Sequence, residues 1–146
     1  GADMLRAVRE VSPRPKILGV TVLTSMLGKD IRFFHPRAQI PAMVKNMAKL
    51  GWVNGIDAVI CSGQEVEFLR KSLRHLDLRF VTPGIRPAGS LKNDQRRVMT
   101  PGEAAALGID FIVVGRPITK AADPLKAAQE ILSEMRHAAP KALESQ

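Results

Sequence analysis

The chain has 146 residues, 45% hydrophobic and 25% charged, the proportions of a globular domain and not of a disordered tail. Its 22 basic and 14 acidic residues leave a net charge of +8, which points to an anionic partner, but with 4% aromatics there are too few rings for a base-stacking platform, which argues against nucleic acid. No run of about 18 apolar residues marks a membrane span, no secretion signal opens the chain, and one cysteine with three scattered histidines suggests neither disulfide nor zinc and fits a cytoplasmic protein.

Met4, Leu5, Val8 and Val11 fall at helical spacing and predict a short first helix, stopped by Pro13 and Pro15. Gly1 and Ala2 run straight into it, as though the chain opened inside an element. Lys16 to Leu23 is an apolar, β-branched run that predicts a strand buried on both faces. Residues 24–38 are polar and irregular and predict a loop. Ile40, Met43, Val44, Met47 and Leu50 predict an amphipathic helix with Pro41 in its first turn, closed by Gly51 and Gly55. Asp57 to Ser62 is the next strand. Ser62 and Glu65 then form a capping-box signature for a helix carrying Val66, Leu69 and Leu73.

Leu78 to Thr82 predicts a third strand, followed by a long Pro- and Gly-containing loop from Pro83 to Met99. Thr100 and Glu103 make a second capping box, with Pro101 at the first helical position. Asp110 to Gly115 predicts a fourth strand, and Asp123-Pro124 starts a last helix through about Met135. The tail after Ala139 is expected to fray. One helix followed by four βα units means parallel strands with crossover helices. The segment Gly55-Ile-Asp-Ala-Val-Ile echoes Gly108-Ile-Asp-Phe-Ile-Val two units later. Such repetition fits a (β/α)8 barrel, which needs about 250 residues. The rival, a doubly wound sheet, lacks its glycine-rich fingerprint after the first strand.

In parallel α/β folds, ligands bind beyond the carboxyl ends of the strands. Thr24 and Ser25 follow the first strand, where a hydroxyl can bond a ligand or merely start a turn. The loop after the third strand carries Arg86, Lys92, Gln95, Arg96 and Arg97. Its length favours function, but a solvated loop with exposed charges fits equally. After the fourth strand, Gly115 lets an anion approach the backbone and Arg116 can grip phosphate bidentately. Phosphate sites of barrels lie in the loops after the last two strands, so both loops are well placed for one. Cys61 inside an apolar strand reads as an inert thiol, the histidines have no partners at ligand spacing, and Asp57 and Asp110 sit at strand starts, the wrong end for catalysis.

At these loops the sequence resembles bacterial orotidine 5'-phosphate decarboxylases. Val20-Thr-Val-Leu-Thr-Ser-Met26, Gly55-Ile-Asp-Ala-Val-Ile-Cys-Ser62, Val81-Thr-Pro-Gly-Ile-Arg-Pro87, Asp94-Gln-Arg-Arg-Val-Met-Thr-Pro101 and Val114-Gly-Arg-Pro-Ile-Thr119 carry the resemblance in family order. A sugar-phosphate decarboxylase of the same superfamily is argued against by the third and fourth of these. The resemblance implies a TIM barrel that converts orotidine 5'-phosphate to UMP and CO2, the last step of de novo pyrimidine nucleotide synthesis, without metal or organic cofactor, as a homodimer. Thr24 then matches the hydroxyl that contacts the pyrimidine, Gln95 a residue reaching phosphate and base, Gly115 and Arg116 the phosphate site, and Arg86 a further substrate-binding residue. The family's catalytic Asp-x-Lys-x-x-Asp motif occurs nowhere in this sequence. By the resemblance, residues 1–139 are expected to form the second half of the barrel, helix 4 and strands 5–8, followed by a tail at 140–146. Such a chain is expected to need an N-terminal half-barrel partner, and to be inactive alone. The alternative is a non-catalytic module that binds nucleotide phosphates.

Overall fold

The structure, a computed structural model, describes residues 1–33, 35–88 and 97–139. The expected frayed tail at 140–146 lies outside them. In chain order the elements are α1 (Ala2–Arg9), β1 (Leu18–Val20), α2 (Gly28–Arg32), α3 (Ile40–Val53), β2 (Ala58–Ile60), α4 (Gly63–Ser72), β3 (Phe80–Thr82), α5 (Pro101–Ala106), β4 (Phe111–Ile112), α6 (Arg116–Thr119) and α7 (Pro124–Ala138). The four strands form one parallel sheet in the order β1-β2-β3-β4. Each strand is added beside its predecessor in the same direction, as in a barrel wall. A doubly wound sheet would reverse its order at a switch point.

Helices α3, α4 and α5 cover one face of this sheet. Val44 and Ala48 of α3, Val66 and Leu69 of α4 and Ala104 of α5 are all fully buried with Val59 and Phe80. Gly51 was expected to close α3 but lies inside it, where a Cβ would come within 2.5 Å of the Ile56 side chain. Gly55 does mark the helix end, at φ +83°. Two short helices, α2 and α6, stand where loops were expected. In α2 the Asp30 carboxylate accepts from the Leu27 backbone N–H at 2.7 Å, and Ile31 is buried. Of the two capping boxes, Thr100–Glu103 is complete, with bonds of 3.1 and 2.7 Å. At Ser62 only the hydroxyl half forms, from the Gln64 N–H at 3.4 Å.

The other face of the sheet corrects an expectation. Leu18 and Val20 of β1 were expected to be buried on both sides but are 48% and 54% exposed, and Phe111 and Val113 are 54% and 49% exposed. Within the run only Ile17, Thr21 and Val22 are buried, with Gly19 half-buried. On the other side Leu18, Val81, Phe111 and Val113 line a concave, largely apolar hollow of about 590 Å³.

The repeated Gly-Ile-Asp segment has a structural role. Asp57 accepts from the Ile17 backbone N–H at 2.8 Å, and Asp110 accepts from the Phe80 N–H at 2.9 Å. Each aspartate thus pins the amino end of the neighbouring strand. Asp57 also meets Arg14 and Lys16 at 3.2 and 3.3 Å. Its carboxyl is held below the usual carboxylate range, chiefly by the Ile17 N–H and, beyond that, by the two cations, against an opposing effect of burial.

Two outcomes follow. Because the Asp57 pKa is lowered by folding, its contribution is complete above the ordinary carboxylate range and is lost as pH falls through the lowered value. Asp57→Asn should therefore cost about 1.5–3 kcal/mol at pH 7 and much less in strong acid, read by urea unfolding at both pH values. An equal cost at both would contradict the assignment. The exposed apolar hollow and the edge strands β1 and β4 should make the isolated chain self-associate. Sedimentation of a monomer across the micromolar range would contradict this.

Candidate functional site

The carboxyl ends of the strands gather the polar residues singled out in the sequence. Pairing of β1 and β2 runs on through Thr21, whose N–H and hydroxyl both donate to the Ile60 carbonyl, at 3.1 and 2.8 Å. A turn follows, closed by Met26 N–H on the Leu23 carbonyl at 3.0 Å, and it holds Thr24 only 6% exposed. Thr24 and Ser25 line a cavity of about 240 Å³ with Val20, Ile60, Cys61 and Pro83, so the ends of β1, β2 and β3 meet there. Burial pushes the Cys61 thiol up to about 12, with the Glu65 charge adding to the rise. The thiol is therefore neutral near pH 7 and no nucleophile.

The loop leaving β3 is tied down at its beginning and end. Gly84 takes φ +79°, where an L side chain is strained. Ile85 then pairs with Met99, with Arg86 N–H on the Met99 carbonyl at 2.9 Å and Met99 N–H on the Gly84 carbonyl at 3.3 Å. Gly63, at the start of α4, lies against this seam, where a Cβ would push the Met99 thioether aside.

Between these ties the structure brings Arg86 and Arg116 together. Arg86 is buried, and one Nη donates to the Ile85 carbonyl at 2.7 Å. Its Nε has no hydrogen-bond partner among the described residues. Its pKa is lowered, first by burial and then by the charge of Arg116. Two cations thus lie within electrostatic reach of each other beyond the ends of β3 and β4. Gly115 precedes Arg116 at the start of α6, and apart from its chain neighbours no described atom lies within 4 Å of where its Cβ would be. A buried cation with an unused donor, within reach of a second charge, makes a setting that an anion would relieve. Thr24 lies in the turn after β1, three strand spacings or about 14 Å along the sheet from β4, so the hydroxyl and the guanidiniums suit opposite ends of one ligand. Gln95 lies outside the described residues, as do Lys92 and Arg96.

For Arg97 neither reading of the loop holds, because it is neither an exposed charge nor aimed at a ligand: it is 6% exposed and paired within the protein. Its guanidinium pairs with Glu65, itself 4% exposed, and donates to the carbonyls of Val22 and Leu23 at 3.2 and 3.0 Å. Its own N–H donates to the Thr24 carbonyl at 3.3 Å. Glu65 therefore serves Arg97 and leaves the Ser62 capping box half made. A signal was present: Glu65 adjoins the core positions Val66 and Leu69, and a carboxylate there needs a cation. Burial raises the Glu65 carboxyl pKa, and Arg97 pulls it back down. The three histidines are all exposed.

Comparison with known proteins fits this geometry. Residues 1–131 match the family model described as "Orotidine 5'-phosphate decarboxylase / HUMPS family". The chain is 42% identical over 140 residues to the orotidine 5'-phosphate decarboxylase of Pseudomonas fluorescens Pf-5, covering 92% of this chain and 59% of that protein. It is 44% identical over 146 residues to that of Gluconobacter oxydans, covering 94% and 61%. The crystal structure of orotidine 5'-phosphate decarboxylase from Lactobacillus acidophilus aligns with TM-score 0.73 at 35% identity, over 92% of this chain and 59% of that one. An uncharacterized conserved protein from Geobacillus kaustophilus aligns with TM-score 0.71 at 29% identity, over the same shares. The chain thus spans about 60% of the length of these relatives.

The buried, neutral Cys61 should resist iodoacetamide at pH 8 in the folded chain and react fully once the chain is unfolded in urea. Rapid alkylation of the native protein would contradict the packing at the end of β2.

Proposed function

The chain belongs to the orotidine 5'-phosphate decarboxylase / HUMPS family, and on that premise we propose that it carries the nucleotide-gripping half of such an enzyme. The observation that carries this reading is the juxtaposition of buried Arg86 with Arg116 beside the open backbone at Gly115. A 5'-phosphate between them would neutralise their repulsion, accept from the Arg86 Nε and receive a bidentate contact from a guanidinium. Thr24 is assigned to the pyrimidine, and Gln95 to the span between phosphate and base, by family resemblance.

The relatives are named for the decarboxylation of orotidine 5'-phosphate, which gives UMP and CO2. We propose that this chain takes part in that reaction through substrate binding, in the cytoplasm and as part of a dimeric enzyme. The family's Asp-x-Lys-x-x-Asp motif is absent from the sequence. Proton delivery to the base carbon is therefore assigned to residues outside this chain, and the chain alone is expected to show no turnover. What its own residues contribute is remote binding energy. A phosphate held at Arg86, Gly115 and Arg116 anchors the substrate, and anchoring a non-reacting part can be spent on orienting the base. The same absence favours a second reading, a module that binds nucleotide phosphates without catalysis. Turnover in the presence of a protein supplying the motif separates the two.

Binding tests the shared premise. By isothermal titration calorimetry UMP should bind and uridine should bind far more weakly. Arg116→Ala should weaken UMP by roughly tenfold to a hundredfold, the scale of one charge-assisted contact, with uridine unaffected. Equal affinities for UMP and uridine would overturn the phosphate assignment.

A further inference from the structure

A second buried charge pair lies away from the phosphate-facing arginines, and nothing in the reaction so far uses it. Glu65 in the first turn of α4 and Arg97 at the end of the β3–α5 loop are 4% and 6% exposed. Arg97 touches three consecutive backbone carbonyls: Val22 and Leu23 through its guanidinium, and Thr24 through its own N–H. These carbonyls form the turn that presents the Thr24 hydroxyl. Glu65 holds the guanidinium from behind. One residue of the phosphate-side loop thus reads the backbone of the turn at the other end of the site.

The pair is poorly made as a stabilising device. Glu65 Oε2 and Arg97 Nε, both buried, have no hydrogen-bond partner among the described residues. A buried ion pair with unsatisfied atoms is commonly no better for stability than apolar side chains of the same volume. A geometric role explains its presence better. A guanidinium is a rigid fork, and three bonds from one residue fix the height and direction of a turn.

We propose that Glu65 and Arg97 are positioning residues that set the Thr24 turn against the base end of a bound nucleotide. They touch neither phosphate nor base. The proposal rests on the reading of the site as a nucleotide grip, and it deepens that reading by dividing it in two. Arg86, Gly115 and Arg116 set affinity for the phosphate. The Glu65–Arg97 pair, acting through Thr24, sets how much a pyrimidine adds to that affinity.

The test uses the full chain carrying Glu65→Met and Arg97→Met together, which replaces the pair by apolar groups of similar size and should keep the fold. A thermal melt checks that it does, and Arg97→Lys, which keeps the charge and loses the fork, serves as the second variant. Calorimetry compares UMP with ribose 5-phosphate. The double variant should lose roughly fivefold to tenfold in UMP affinity, the scale of one neutral hydrogen bond, and change less than twofold for ribose 5-phosphate. Hydrogen exchange without ligand should quicken at residues 21–26 and stay unchanged in β2 and α5. Equal losses for both ligands, or unchanged UMP affinity with unchanged exchange at 21–26, would overturn the proposal. A wild-type chain that binds neither ligand overturns the nucleotide reading instead, and exchange at 21–26 then decides on its own whether the pair positions the turn.

Discussion

The carboxyl end of the sheet turns on two guanidiniums that repel each other. Arg86 is held in place by its own backbone, paired to Met99, and by a bond from its side chain to the Ile85 carbonyl. A cation fixed in a low-dielectric setting beside another cation is costly unless an anion joins them. The fold tolerates this cost where a family of nucleotide-phosphate enzymes is expected to bind its substrate. Barrels commonly place phosphate in the loops after their last two strands, and here those loops follow β3 and β4.

That constraint depends in turn on how the strands are aligned. Asp57 and Asp110 each accept a backbone N–H from the start of the neighbouring strand. They fix strand register at the amino end, and the register decides which residues emerge at the carboxyl end. A slip by one residue would turn Thr82 and its neighbours to the opposite face. The two ends of the sheet therefore divide the work. Aspartates at one end give alignment, while the arginines, glycine and threonine proposed for binding stand at the other. The exposed hollow lined by Leu18, Val81, Phe111 and Val113 is the remaining face of the same parallel sheet. Purely parallel sheets are ordinarily covered on both faces.

Much of this was legible in the sequence, and the failures are physical ones. The apolar runs and capping residues located all four strands and the helices α1, α3, α4, α5 and α7, because β-branched runs and Thr-Pro-Gly-Glu spacing act locally. The helices α2 and α6 escaped notice: at five and four residues they are too short to show a period. Burial of β1 was overestimated because an apolar run shows that a strand can be covered, not which face is. Thr24, Arg86, Gly115 and Arg116 were nominated from position after a strand and from family resemblance. The role of Arg97 was left open because its partner is Glu65, which lies 32 positions earlier, a tertiary contact with no local signature. The same contact explains why the Ser62 capping box is half made.

The central claim is that a nucleotide 5'-phosphate sits between Arg86 and Arg116 over Gly115, with its base toward Thr24. A crystal structure of this chain with UMP tests it most directly. The account predicts phosphate oxygens within hydrogen-bond distance of the Arg116 guanidinium and the Gly115 backbone, with the Arg86 Nε now bonded. A phosphate bound elsewhere, with Arg86 and Arg116 left without it, would contradict it.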